Sequence, residues 1–113
     1  MKKIEAFIRP EKLEDVKDLL ERYHLNGLSI MQVMGCGSQK GWKKFVRGKE
    51  VEYNFLQKIK IEMVVLDEQV DEVVDGIIDI TSTGEIGDGK IFVSDVGDAV
   101  RVRTRERGEA AVK

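Results

Sequence analysis

The stretch Ile4-Glu5-Ala6-Phe7-Ile8, followed by Leu13 and Val16, returns without a gap as Ile61-Glu62-Met63-Val64-Val65, followed by Val70 and Val73. Glu11 falls on Glu68 and Leu20 on Ile77. In each copy apolar residues alternate with period two and then recur at spacings of three and four. That change of period marks a strand entering a helix. A further strand follows each helix, so the chain reads as two strand–helix–strand halves. Two such halves form the split βαβ, ferredoxin-like α+β sandwich, with both helices on one face of the sheet.

Working outward from the first copy, Pro10 suits a first helical turn. Leu13, Val16, Leu19, Leu20 and Tyr23 form one apolar stripe on a helix from about Pro10 to His24, which Asn26-Gly27 ends. Leu28 to Gly35 reads as the second strand. From the second copy, Lys58 to Val65 is a strand with Ile59, Ile61, Met63 and Val65 inward, and Val70, Val73, Val74, Ile77 and Ile78 line the second helix. Ile91-Phe92-Val93 is the fourth strand, Val100-Arg101-Val102-Arg103 a short further strand, and the remainder a charged tail. The sheet face away from the helices would carry Phe7, Val64 and Phe92. Apolar surface of that kind implies an oligomer that covers it.

Between the halves, Gly35 to Gln57 holds Gly35, Gly37, Gly41 and Gly48, five Lys or Arg residues from Lys40 to Lys49, and Trp42, Phe45, Tyr53 and Phe55 interleaved, with no clean period. So long a loop in a compact domain is normally functional or disordered. Its lysines and rings would suit a single nucleic-acid strand. A mobile docking arm presented by a rigid scaffold explains the same residues.

The chain has 113 residues, one domain's worth, with 42% hydrophobic and 35% charged residues. No apolar run approaches the roughly 18 residues of a membrane span. The start, Met1-Lys2-Lys3-Ile4-Glu5, has no signal-peptide apolar block. The single Cys36 excludes an intramolecular disulfide framework. These features are those of a cytoplasmic protein. A net charge of −2 argues against a nucleic-acid polycation.

The chemistry concentrates in Thr83-Gly84-Glu85-Ile86-Gly87-Asp88-Gly89-Lys90. Its glycines allow positive φ and leave backbone N–H groups uncovered, which makes a concave anion site. Gly84 to Lys90 is nearly a P-loop, but Ile91 replaces the Ser or Thr hydroxyl and the loop leaves a helix to enter a strand. A P-loop NTPase is therefore rejected while the phosphate cradle stands beside the plainer reading of a tight connector. Arg101, Arg103, Arg105 and Arg107 alternate and, on an extended strand, would share one face suited to phosphate. Asp88 could hold a ribose, a metal or nothing. His24 reads as a surface residue near a helix C-terminus. Cys36 has no His beside it to act as its base. No metal cluster or catalytic triad is visible.

With these elements placed, the chain resembles the PII signal-transduction family over nearly its whole length. Lys2 to Ala6 with Ile8-Arg9-Pro10 is similar to the family's opening, and Thr83 to Val93 to its B-loop and following strand. Val100 to Thr104, with Glu106-Arg107-Gly108-Glu109, is similar to its C-terminal signature. The resemblance implies one PII-like domain over 1–113, with a flexible T-loop at about 37–55, a B-loop at about 82–90 and a C-terminal loop at about 101–113. It implies a cytoplasmic homotrimer with its sheets at the centre and ATP or ADP bound in clefts between subunits. The nucleotide set carried over is Ser29, Gly35, Gly37, Ser38, Gln39, Val64, Gly87, Asp88, Gly89, Lys90, Arg101 and Arg103. Gln39 would offer an oxygen to Mg²⁺, and Gln39, Lys40, Gly41 and Lys58 would hold 2-oxoglutarate. Targets implied are an ammonium transporter or an enzyme or regulator of nitrogen metabolism, met through the T-loop, with no direct nucleic-acid contact and membrane contact only through a transporter. No general base stands beside the phosphates, so the implied role is non-enzymatic, with at most slow ATP hydrolysis.

This chain departs from the family pattern. The modified T-loop tyrosine falls at Val51, which removes that modification site, and a serine phosphorylated in some members falls at Lys49. An arginine that reaches the phosphates is replaced by Ser38, and Trp42-Lys43-Lys44-Phe45 is unusually basic and bulky. These point to an alternative. The chain would then be a specialised branch acting on nitrogenase, another transporter or a metabolic enzyme, and answering to adenine nucleotide with a different second ligand.

Overall fold

The computed structural model describes residues 1–36, 42–46, 49–52 and 55–113, the segments 42–46 and 49–52 by backbone only. The elements run β1 (Lys2–Ile8), α1 (Leu13–Arg22), β2 (Ser29–Gly35), β3 (Trp42–Val46), β4 (Lys49–Glu52), β5 (Leu56–Val65), α2 (Val70–Thr81), β6 (Lys90–Asp95) and α3 (Glu109–Val112). A four-stranded antiparallel sheet has the order β2-β5-β1-β6, as the ferredoxin-like sandwich requires. The central strands of the two repeats, β1 and β5, lie side by side with Ala6 opposite Ile61.

Ile4, Ala6 and Ile8 on β1 and Ile59, Ile61, Met63 and Val65 on β5 are buried on the helix side, as their alternation predicts. Val16 and Leu19 of α1 and Val73 and Ile77 of α2 close the core above them. Ile78 differs from the stripe read in the sequence. It stands half-exposed, and Ile80 packs against the core instead. Pro10–Lys12 forms a 3-10 turn before α1, which ends at Arg22. The left-handed residue after it is His24, φ 53°, so the helix stops before Asn26-Gly27.

Two expectations are corrected. The segment from Gly35 to Gln57 is not wholly irregular, because β3 and β4 pair antiparallel within it. Nor do residues 100–103 form a strand. Val100 makes one isolated bridge to Arg107, and the backbone turns between them. Val102 is 94% exposed, so its side chain finds no sheet to pack on. The Arg101 N–H goes to the Glu106 carbonyl, Arg105 takes φ 64°, and the four arginines do not share a strand face.

The face away from the helices carries Phe7, Phe92 and Val64, as expected. The Phe7 and Phe92 rings meet edge to face at 6.1 Å. Phe92 is 54% and Val64 37% exposed. Beside them lies a closed ring of charge. Lys3 bridges Glu5 (3.1 Å) and Glu62 (3.7 Å), and Lys60 bridges Glu62 (2.8 Å) and Glu5 (3.3 Å). Lys3 and Lys60 hold the Glu5 carboxyl below its ordinary range. No described helix is long and apolar enough to cross a membrane.

Candidate functional site: a glycine-built loop and two clefts

Between α2 and β6 the chain turns through Gly84, Gly87 and Gly89, at φ 86°, 105° and 107°. Glycine is required at Gly89 for a second reason. A Cβ there would lie 1.7 Å from the Phe7 carbonyl oxygen, so this loop runs against the backbone of β1. Asp88 is the hub. One carboxylate oxygen accepts from the Thr83 hydroxyl and from Arg9 Nε (3.1 Å), the other from the N–H groups of Thr83 (2.8 Å) and Gly84 (2.9 Å). The hydroxyl and backbone N–H of Thr83, then Gly84 and Arg9, hold its carboxyl far below the usual range. Arg9 also donates to the Ile86 carbonyl at 3.1 Å. Asp88 thus spends its acceptors in building the loop.

Lys58 Nζ, on β5, donates to the Gly87 carbonyl and ties the loop to the sheet. Gly35, Lys58, Gly87, Gly89 and Lys90 gather round one cleft of about 370 Å³, with Phe7 and Phe92 on its apolar side. Cys36 lines the same cleft. Ser29, Val64 and Arg101 lie elsewhere, in a cleft of about 560 Å³ with Glu62 and Val112. The two clefts sit at opposite ends of β2. Ser29 pairs with Glu62 and Gly35 with Leu56, a separation of about 20 Å at the usual rise of a strand. Arg103 is exposed on the turn beyond Arg101. Gly37, Ser38, Gln39, Lys40 and Gly41 lie outside the described residues, as does the side chain at Val51.

The C-terminal turn is pinned by Asp98. It accepts from Arg107 at 2.7 Å and from the N–H groups of Ala99 and Gly108, at 2.8 and 3.2 Å. Chiefly Arg107 holds its carboxyl low. Arg101 donates through Nη1 to Glu106 at 2.9 Å and through Nη2 to the Lys113 backbone oxygen at 2.8 Å. Sequence reading missed Arg9, Asp98 and Glu106 as builders of these turns, because each acts through a partner remote in the chain or across a turn.

Fold and site together define an α+β sandwich that carries a glycine-built loop beside one cleft at one end of its sheet and a second cleft at the other. A family model described as nitrogen regulatory protein P-II matches residues 1–106. The P-II protein of Rhodobacter capsulatus is 50% identical over 112 residues, 99% of this chain and 100% of that protein. That of Microchaete diplosiphon is 53% identical over the same shares, and P-II 1 of Escherichia coli K12 is 49% identical, again over 99% and 100%. The chain belongs to the P-II family.

Proposed function

We propose that this chain is a non-enzymatic signal-transduction protein of nitrogen regulation. It reads ATP or ADP and, with Mg²⁺, 2-oxoglutarate, and reports the result to target proteins through residues 37–55. The observation that carries this reading is the division of its site residues between two clefts about 20 Å apart along β2. Neither cleft alone holds an anion loop, an arginine and an adenine-sized wall. Apposing the loop end of one chain to the Ser29 end of another completes the set. The open sheet face, with Phe7 and Phe92, supplies the apolar surface for such a homotrimer.

In the assembled site Gly87, Gly89 and Lys90 hold phosphate oxygens, Arg101 and Arg103 add charge, and Ser29 and Val64 face the base. Asp88 with Arg9 holds the loop in shape. Gln39 supplies an oxygen to Mg²⁺, and Lys58 an ammonium to a carboxylate of 2-oxoglutarate, beside Lys40 and Gly41. Lys58 holds the Gly87 carbonyl, so a ligand that draws its ammonium away also acts on the phosphate loop. Binding of the two ligands is thereby coupled, and the coupling is reciprocal. Such a protein works in the cytoplasm and meets an ammonium transporter or an enzyme or regulator of nitrogen metabolism. Val51 and the basic run Trp42-Lys43-Lys44-Phe45 favour a second reading, a specialised regulator whose second ligand differs.

Calorimetric titration of 2-oxoglutarate with and without Mg-ATP tests the proposal. Heat only with Mg-ATP supports the coupled sensor. Nucleotide binding with no response to 2-oxoglutarate favours the specialised reading. Turnover of ATP on the order of 1 s⁻¹ or faster would refute the non-enzymatic role.

A further inference from the structure

Arg101, the guanidinium on which the Ser29 cleft relies, is already occupied by its own chain. Its Nη1 donates to Glu106 at 2.9 Å. Its Nη2 reaches the carbonyls of Ala110 (3.3 Å) and Ala111 (3.5 Å) and the Lys113 backbone oxygen (2.8 Å), at the C-terminal end of α3. The Ala110 and Ala111 carbonyls are ones a helix leaves without internal partners. Asn26 Nδ2 fastens the same segment by donating to the Val112 carbonyl at 3.2 Å. Ala111 and Val112 also form part of the wall of the cleft that holds Ser29, Val64 and Arg101. The segment therefore both fills the cleft's rim and satisfies its cation.

We propose that α3 and the residue after it are an internal competitor for Arg101, so that a nucleotide phosphate and this segment exclude one another. The proposal rests on the nucleotide reading above and adds a regulation to it. A guanidinium has five N–H donors in a fixed fork, and its Nη1–Nη2 edge, one of those that can grip phosphate bidentately, now faces Glu106 and the backbone oxygens. Engaging phosphate through that edge means releasing the segment. By reciprocity, an event that holds the segment in place weakens nucleotide binding, and bound nucleotide frees the segment. Glu109 and Ala110 are exposed and no α3 residue belongs to the core, so the segment can leave without unfolding the sandwich.

The test compares ATP affinity, by calorimetry, in the full chain, in a chain lacking residues 110–113, and in full-length Glu106→Gln. The expected result is about tenfold tighter binding after deletion and a smaller gain in the same direction for Glu106→Gln. Hydrogen exchange supplies an independent reading on the full chain. Added ATP is expected to speed exchange of the Ala111 and Lys113 amides, which donate to the Gly108 and Glu109 carbonyls across the turn of α3. Unchanged or weaker affinity in both variants, with unchanged exchange, overturns the proposal and leaves α3 a passive support. ATP binding by none of the three overturns the nucleotide reading itself. Binding only by the shortened chain upholds both.

Discussion

Gly89→Ala is the sharpest test of how the loop is built. At φ 107° an L side chain is strained by about 1–3 kcal/mol. The new methyl would also lie 1.7 Å from the Phe7 carbonyl oxygen, and that oxygen belongs to a strand paired on both sides, with Lys60 and Lys90. Relief requires the start of β6 to peel from β1, at one or two backbone hydrogen bonds of about 1 kcal/mol each. Together these amount to about 2–5 kcal/mol, a fall in Tm of about 8–20 °C for a domain of this size. Gly84→Ala is the matched control. It has positive φ (86°) but nothing within 4 Å of its added carbon, so it pays only about 1–2 kcal/mol of strain. Thermal unfolding followed by circular dichroism, at one protein concentration, reads both. Equal melting of the two variants would refute the close-approach argument.

Ile61→Ala, at a fully buried central position, is expected to cost about 2–5 kcal/mol in urea unfolding. Below pH 5 the protein should lose stability. Asp88, Asp98, Asp67 and Glu5 are held low in the folded chain, so the unfolded chain binds protons first as pH falls through about 4. Asp88→Asn should flatten that dependence, and an unchanged slope of Tm against pH would count against its role as the loop's hub. Phe92→Asp puts a charge on the open sheet face and should lower the assembly state in light scattering. An unchanged mass would show that this face is not the interface.

What the sequence showed best was whatever repeated. The Ile-Glu strands and their helices were legible because burial on one side forces period two and then a spacing of three and four. Val100 to Arg103 alternates just as well, yet it turns. Alternation reports a strand only when a neighbour exists to pair with it, and Arg101 instead finds Glu106 within its own turn. The β3–β4 ribbon was hidden because its strands are short and lie in a segment without a clean hydrophobic period. Of the candidate site, the glycine loop was readable from composition. The division of the other candidate residues between two ends of the sheet was not, since that follows from the pairing of β2 with β5.

The ring of four charges has an origin in the repeat. Lys3-Ile4-Glu5 and Lys60-Ile61-Glu62 are the same tripeptide, met once in each half. The two halves meet antiparallel with Glu5 directly opposite Glu62, so the axis of internal symmetry passes between two like charges. Like charges facing across a ladder repel. Here the motif cancels its own fault, because each copy's lysine reaches both carboxylates, the neighbouring one and the one across the axis. A single written word, read twice in opposite directions, thus closes a neutral circuit with no residue from elsewhere in the chain.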